Sequence, residues 1–501
     1  MSKFIANLSW KGYNKNNYAA RRHALREKSD GRGRSAPGGR EGSGMTVRQY
    51  FAALQGKRVV VLGLGVSNLP LMQLLLDYGC TVTGCDKTPL ERLPEEVRQL
   101  ADRGAVLRTG PGYLDGLTAD VVFRTPGMHP DIPALQALRQ AGAVITSEME
   151  AFFAVCPAKL IAVTGSDGKT TTATLISELL KQAGRKVWLG GNIGTPLLQY
   201  AEQMQPEDFA VVELSSFQLM YFPYSAHVAV VTNLAPNHLD IHKDMQEYID
   251  AKKNVFLHQS PADCVVLNAD NAITRSFAAC APGRIAWFSR RSAVEDGVFL
   301  EDGVIYRAKA GARHRIMAAD EILLPGVHNI ENYMAAIAAV GDHVTADEIA
   351  AVARSFGGVE HRIEFVRQVR GVRYYNDSIA SSPTRTIAGL RSFPQKVILI
   401  AGGYDKHIPY DVLGPEICSH VKILITTGAT GPKIRDAMLA VQDQPHPQLE
   451  EVPDFADAVR RAANLAQPGD VVLMSPASAA FDHFKNFMVR GKFFKQLVQS
   501  L

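Results

Sequence analysis

Long apolar runs are missing from this 501-residue chain. No stretch of about 18 apolar residues occurs, so no membrane-spanning helix is expected. Paired cysteines are missing too. Cys80, Cys85, Cys156, Cys264, Cys280 and Cys418 form no C-x-x-C pair and no zinc spacing. They read as reduced, mostly structural thiols of a cytoplasmic protein. After residue 45 there is no internal repeat and no low-complexity tract. Excess charge is also missing from most of the chain. The net charge is +4, but ten basic and three acidic residues give positions 1–44 a net +7, which leaves −3 for positions 45–501. A mildly acidic body argues against a generic nucleic-acid binder.

What is present begins with that basic segment. It ends in a Gly/Arg/Ser-rich stretch that cannot bury a core, so residues 1–45 are expected to be a disordered basic extension. It lacks the apolar centre of a secretory signal. Met45 opens a helix-like segment and reads as the functional start; an RNA-binding arm or an organellar presequence are the other readings. Apolar residues at 46% and charged residues at 21% are ordinary for globular protein. The length fits about three domains.

The most telling stretch is Thr164-Gly165-Ser166-Asp167-Gly168-Lys169-Thr170. It follows the apolar run Leu160-Ile161-Ala162-Val163 and precedes Thr171 and a helical pattern. Strand, glycine turn and helix start together make a phosphate cradle, with backbone N–H groups and a lysine aimed at the anion. Thr170 would offer its hydroxyl to the magnesium that accompanies a nucleotide. The early glycine of the full P-loop pattern falls at Val163, so this is a shortened variant. The plainer reading is a surface Gly-Lys-Thr turn.

Short apolar runs alternate with helical stretches along the chain, which predicts parallel sheets with crossover helices. Expected strands are 58–62, 81–85, 121–123 and 144–145, then 160–163, 186–189, 209–213, 228–232 and 264–268, then 397–401, 423–427 and 471–475. Phe356-Gly357-Gly358-Val359 reads as a linker. The fold class is therefore α/β in three domains: a Rossmann-like N-terminal domain, a central P-loop-type ATPase domain and a Rossmann-like C-terminal domain. In the first, Gly63-x-Gly65 follows a strand and Asp86 lies downstream, an incomplete dinucleotide fingerprint with Asn68 at the third glycine position. NAD, another nucleoside diphosphate and a purely structural turn remain open on this evidence.

Further motifs follow in order: Gly190-Gly191-Asn192-Ile193-Gly194, Glu213-Leu214-Ser215-Ser216-Phe217-Gln218-Leu219, Asn237-His238-Leu239-Asp240, Ala251-Lys252, Leu267-Asn268-Ala269-Asp270, His328-Asn329 with Asn332, His361-Arg362-Ile363-Glu364, Asn376-Asp377-Ser378 and Phe484-Lys485-Asn486-Phe487. With the phosphate loop, this set resembles the Mur ligases of peptidoglycan precursor synthesis, and the Glu-Leu-Ser-Ser-Phe-Gln-Leu string resembles their D-glutamate-adding branch.

The resemblance implies an ATP-dependent, cytoplasmic and monomeric ligase that activates the carboxylate of UDP-N-acetylmuramoyl-L-alanine as an acyl phosphate and joins it to D-glutamate, with no nucleic-acid or membrane partner. It implies residues 46–155 as the UDP-substrate domain, 156–359 as the ATP domain and 360–501 as the amino-acid domain. Gly165, Ser166, Asp167, Gly168, Lys169, Thr170 and Thr171 would hold ATP with Asn329, Asn332, Arg362 and Asp377. Two Mg²⁺ ions would be held by Thr170, Glu213, His238 and Lys252, the last as a carbamylated lysine, with Lys253 as its competitor. Lys169, His238, Lys252 and Arg362 would be catalytic. Gly65, Ser67, Asp86, Lys87, Thr125, Gly127 and Asn192 would bind the UDP substrate; Ser381, Lys406 and Phe487 would bind the amino acid.

Plainer readings stand beside these. Glu213 could be a solvated strand-end acid, Lys252 a helix-surface lysine, and Asn329 and Asn332 capping or packing residues. His238 and His242 could suggest a zinc pair, but no accompanying acid or cysteine motif supports it. The chain departs from the family's usual Asn-Asp-Ser-Lys-Ala-Thr at Ile379 and Ser381, its Ala480 replaces a usual serine, and Asp405 stands before Lys406. These departures touch the amino-acid pocket. Rival readings are a folylpolyglutamate synthase-like ligase, disfavoured by residues 58–150, a nicotinamide-dependent dehydrogenase, and a non-catalytic nucleotide-binding module.

Overall fold

The structure, a computed structural model, describes residues 45–236, 241–406 and 408–501. The expected basic extension, up to residue 44, and His238 lie outside the described residues. Three sheets succeed one another along the chain.

The first contains β1 (Val59–Leu62), β2 (Val82–Asp86), β3 (Val106–Thr109), β4 (Val121–Arg124) and β5 (Val144–Thr146), all parallel in the order β3-β2-β1-β4-β5. β1 reads Val-Val-Val-Leu because helices cover both of its faces and no polar alternation is needed. The second contains β6 (Lys159–Thr164), β7 (Val187–Gly191), β8 (Phe209–Glu213), β9 (Val228–Val231), β10 (Cys264–Asn268), β11 (Arg284–Ser289), β12 (Gly297–Glu301), β13 (Val304–Lys309) and β14 (Ala312–Ala318). Its order is β14-β13-β12-β11-β10-β9-β6-β8-β7, parallel except for the β12–β13 and β13–β14 pairings. The third contains β15 (Glu364–Val369), β16 (Val372–Asn376), β17 (Val397–Gly402), β18 (Val421–Thr427), β19 (Gln448–Glu451) and β20 (Val471–Met474), in the order β15-β16-β20-β17-β18-β19.

The helices that matter for function are α1 (Val47–Ala52), α2 (Asn68–Asp77), α3 (Glu148–Val155), α4 (Lys169–Gln182), α5 (Ser216–Leu219), α6 (Met245–Lys253), α7 (Val327–Val340), α8 (Pro383–Leu390) and α9 (Phe487–Gln499). Thr46 and Gln49 close a reciprocal capping box at the start of α1. In α4, Leu175, Ile176, Leu179 and Leu180 recur at helical spacing and pack with Tyr333, Met334 and Ile337 of α7 against the central sheet. Each such buried aliphatic side chain contributes about 1.5–3 kcal/mol. That packing fixes the start of α4, and hence the phosphate loop, against the sheet edge.

Two seams join the sheets. At the first, the buried Arg124 at the end of β4 donates to the carbonyls of Met128 and Phe217 at 3.1 and 3.0 Å. Nearby, Ser147 caps α3, and the buried Glu148 accepts a hydrogen bond from Leu198 N at 3.3 Å. At the second, the expected linker 356–359 leads into His361 and Ile363. Both take positive φ, +67° and +44°, which is costly for residues with a β-carbon.

Burial pushes the Glu148 carboxyl from its usual 4.5 up to about 7. The folded chain therefore holds this proton more tightly than the unfolded chain does. The contribution to stability is full below pH 4.5 and is lost as pH rises toward 7. We expect the thermal midpoint to fall between pH 5 and pH 8 by less in Glu148→Gln than in the parent. The difference corresponds to roughly 1–3 kcal/mol and would be read by scanning calorimetry.

Candidate active site between the central and C-terminal domains

β6 lies between β8 and β9, so the loop at its carboxyl end opens where the chain order of the strands reverses, a place where α/β sheets bind ligands. The loop is held from beneath by the segment after β9. Ser166 N donates to Asn233 O at 2.9 Å, Asp167 N to Asn233 Oδ1 at 3.0 Å, and Thr232 Oγ1 to Asp167 O at 2.6 Å. Glycine is required at two points. A β-carbon on Gly165 (φ +149°) would stand 1.9 Å from Thr232 Oγ1, and one on Gly168 (φ +77°) would stand 2.3 Å from Asn332 Oδ1.

Lys169 and Thr170 begin α4 directly behind Gly168. Lys169 folds its ammonium back onto Ser166 O at 2.9 Å. Burial lowers its pKa; Glu213 and Asp167 oppose that shift, and the charge of Arg362 adds to it. Thr170 Oγ1 donates to Glu213 Oε2 at 2.7 Å, and Asn192 Nδ2 donates to Glu213 Oε1 at 2.9 Å. Glu213 is only 2% exposed and makes no ion pair among the described residues. Its bonded partners are neutral. A buried carboxylate in that state suits a hard divalent cation, to which it and the Thr170 hydroxyl would turn their oxygens. Gly191 allows the approach: at φ +99°, a β-carbon there would meet Glu213 O at 2.3 Å.

Lys252 lies in the last turn of α6 inside the protein, 1% exposed. Its ammonium donates to Gly165 O at 2.9 Å and Thr164 Oγ1 at 3.2 Å and lies over the Tyr248 ring. Burial, and then repulsion from Lys169, hold its pKa well below the usual lysine range. The surface-lysine reading does not hold for this residue.

A cavity of about 310 Å³ adjoins the loop. Asp167, Gly168, Phe288, His328 and Asn332 line it from the central domain, and Ile363, Ala388, Arg391 and Ser392 from the C-terminal domain. Asn329 stands behind Asn332, donating to Pro325 O and accepting from the Asn332 amide. Thr171 is buried in the first turn of α4. Arg362 is exposed. Asp377 is buried and turned into its own domain, where it accepts from Ser475 Oγ at 2.7 Å and Ile363 N at 3.3 Å; burial raises its pKa to about 7.

At the first sheet, Gly65, Ser67, Asp86, Lys87, Thr125 and Gly127 gather at the strand ends. Asp86 accepts from Leu64 N and Thr88 N, both at 2.8 Å. Asn68 fills the missing third-glycine position by donating to Leu62 O and Gly63 O. Asn192 belongs with Glu213 rather than with this group. In the C-terminal domain, Lys406 is exposed with its ammonium 6.0 Å from the Phe481 ring, Phe487 packs edge-on to His361, and Ser381 is half-buried. None of these three lines the cavity. Residues to which motif reading gave no role include Thr232, Asn233 and Tyr248, whose hydroxyl lies 2.9 Å from Ser166 Oγ. Thr232 and Asn233 follow a strand end, a position that marks the ligand edge of the sheet.

A glycine loop shaped to take a phosphate, a buried acid at an adjacent strand end and a cavity completed by another domain define the class: a multidomain protein of P-loop type whose cavity is shared across an interdomain seam. Residues 163–340 match the Mur ligase middle domain, and residues 361–478 match the Mur ligase, glutamate ligase domain. The chain is 51% identical over 461 residues to UDP-N-acetylmuramoylalanine–D-glutamate ligase of Acetivibrio thermocellus, covering 91% of this chain and 99% of that protein. It is 49% identical over 457 residues to the ligase of the same name from Clostridium botulinum, with the same coverages. Among solved structures, it resembles UDP-N-acetylmuramoyl-L-alanyl-D-glutamate–2,6-diaminopimelate ligase (TM-score 0.53, 18% identity, 89% of this chain and 93% of that one). It also resembles UDP-N-acetylmuramate-alanine ligase from Thermotoga maritima (TM-score 0.52, 17% identity, 89% and 99%). The chain belongs to the Mur ligase family, the ATP-dependent ligases of peptidoglycan synthesis.

The glycine at 165 gives a direct check. Gly165→Ala should weaken ATP binding by more than tenfold and cost roughly 1–3 kcal/mol of stability, measured by nucleotide titration and thermal unfolding. Unchanged ATP affinity would mean that the loop does not need this close approach.

Proposed function

We propose that this chain joins D-glutamate to UDP-N-acetylmuramoyl-L-alanine through an acyl phosphate, as a cytoplasmic, monomeric, Mg²⁺-dependent enzyme. The reading rests on the buried Glu213, held by neutral partners beside a phosphate loop, and on a relative of that name at 51% identity. In this reading residues 46–155 bind the UDP substrate, 156–359 bind ATP and 360–501 bind the amino acid.

A carboxylate is a poor electrophile. The reaction therefore breaks the bond between the β–γ bridging oxygen and the terminal phosphorus of ATP and forms one from that phosphorus to an oxygen of the L-alanyl carboxylate. The amine of D-glutamate then attacks the carbonyl carbon, the C–N bond forms, the amine loses a proton and orthophosphate leaves. Two anions must approach each other in the first step, so placement and neutralisation dominate the barrier. The amides from Gly165 to Thr171 and the Lys169 ammonium hold the phosphates. Asn329 and Asn332 shape the base end of the cavity. Arg362, at the seam, meets the terminal phosphate when the domains close, and Asp377 steadies the Ile363 amide behind it. Closure also keeps water from the acyl phosphate.

Thr170 and Glu213 would hold one Mg²⁺, and His238 and Lys252 a second. Bound there, Mg²⁺ supplies charge neutralisation between phosphate and carboxylate oxygens. Lys252 suits this role once carbamylated. Its buried amine is held toward the neutral form, and a neutral amine attacks CO₂, losing one proton, to give an anionic oxygen donor. Gly65, Ser67, Asp86, Lys87, Thr125 and Gly127 take the UDP-muramoyl portion, with Asn192 steadying Glu213. Ser381, Lys406 and Phe487 take D-glutamate.

Orthophosphate release should require both the UDP-muramoyl-alanine substrate and an amino acid, and should be greatest with D-glutamate across a panel. Lys169→Ala should lower it by about a thousandfold while leaving UDP-substrate affinity within about twofold. Turnover with L- but not D-glutamate would overturn the amino-acid assignment. Separately, enzyme kept free of CO₂ should lose most activity and regain it on adding bicarbonate, whereas Lys252→Ala should not respond. Full activity in rigorously CO₂-free buffer would rule out the carbamate.

A further inference from the structure

One wall of the nucleotide cavity comes from α8 and its C-terminal cap, through Ala388, Arg391 and Ser392. Arg385 lies three residues before Ala388 and seven before Ser392. It therefore occupies the same face of the helix, one turn nearer its start. Its Nη1 donates to Ile379 O at 3.2 Å. Ile379 N in turn donates to His361 O at 3.1 Å, which sets this tether beside the peptide of Arg362.

The charges of Arg362 and Arg385 both act on the buried Asp377 carboxyl, and the charge of Arg362 reaches Lys169. Arg362 thus acts on groups on both sides of the seam, Lys169 in the phosphate loop and, together with Arg385, Asp377 in the C-terminal domain. Arg391, on the same wall, differs: its guanidinium is paired with Glu416. Arg385 is exposed, has one backbone acceptor and makes no ion pair among the described residues. A guanidinium has five N–H donors in a planar fork suited to phosphate oxygens, and most of this one's are uncommitted. The adjoining loop carries an aliphatic side chain, Ile379, so it adds no cation of its own there.

We propose that Arg385 binds the terminal phosphate oxygens of the nucleotide at the interdomain seam, opposite Lys169. This deepens the ligase reading and rests on it. One tip nitrogen, Nη1, is held by the Ile379 carbonyl, and the remaining N–H groups of the fork reach the nucleotide from the C-terminal domain. ATP, with its third phosphate, gains more from it than ADP does.

The test uses the full chain as wild type, Arg385→Ala and Arg385→Lys. Titration with a non-hydrolysable ATP analogue and Mg²⁺ should show about tenfold weaker binding in Arg385→Ala, with ADP affinity within about twofold of wild type. Its kcat should fall by about a hundredfold, with KM for D-glutamate and for the UDP substrate within about twofold, and Arg385→Lys should recover part of both losses. Equal analogue affinity in Arg385→Ala and wild type would overturn the proposal. So would a loss confined to KM for D-glutamate, which would make Arg385 a carboxylate-binding residue instead. Thermal unfolding identifies a misfolded variant; in that event Arg385→Lys and Arg385→Gln carry the same comparison. If wild type bound the analogue but made no product with D-glutamate, the ligase reading would fail while the analogue titration still decided the role of Arg385.

Discussion

Glu213 ends a buried strand with its carboxylate out of water and only a hydroxyl and an amide for company. Burying a carboxylate without a counter-charge costs several kcal/mol, a cost that a cation joining it would offset. Two lysines stand near enough to feel its charge, yet neither pairs with it. Lys169 turns back to Ser166 O, and Lys252 is committed to Gly165 O and Thr164 Oγ1. The site therefore keeps opposite charges close but unmatched. In the proposed reaction, a nucleotide carrying divalent metal would supply both missing signs in a single event, metal for the acid and phosphate for the Lys169 ammonium.

The close approach of five chain segments makes this arrangement possible. The phosphate loop rests on Thr232 and Asn233, its Gly168 touches Asn332 of α7, and Gly191 passes within van der Waals range of the Glu213 backbone. These contacts explain the shortened loop. The position where a full P-loop has its first glycine is Val163, which is fully buried in β6 and accepts a hydrogen bond from Leu214 N at 2.8 Å. A strand residue paired on both sides has no need of glycine, and the turn begins only at Gly165.

The sequence was most legible where one local signal did one job. The phosphate loop shows itself as strand, glycine turn and helix start, and Gly63-x-Gly65 does the same on the first sheet. The alternation of apolar runs with helical stretches is enough for three sheets with parallel cores. Elements whose evidence is non-local were not legible in the same way. β12 to β14 form antiparallel hairpins, one turning at Asp302-Gly303 with both residues at positive φ. That turn signal is short, and the flanking strands mix charged with apolar residues, which blurs their period. The partnership of Asn192 with Glu213 depends on β7 lying beside β8, which no spacing along the chain reveals. Asp377 reads as a site acid from its motif, whereas its environment is set by Ser475, nearly a hundred residues away. Arg490 gives no signal at all in sequence. It is buried with hydrogen bonds to the Ser378, Ser478 and Ala479 carbonyls, and so knits the loops of the C-terminal domain together.

The two interdomain seams differ in kind. Arg124 seats the first domain through carbonyl oxygens, acceptors whose strength does not change with protonation and which salt screens little when buried. The other seam passes through a linker with two residues in an unfavourable backbone conformation. Of the two connecting segments, only this one carries such strained backbone. In the proposed reading, the sugar-nucleotide end of the acceptor would ride on a foundation level with the phosphoryl donor, and a swing of the third domain would change the reach of the incoming amine without disturbing the register already set between the other two reactants.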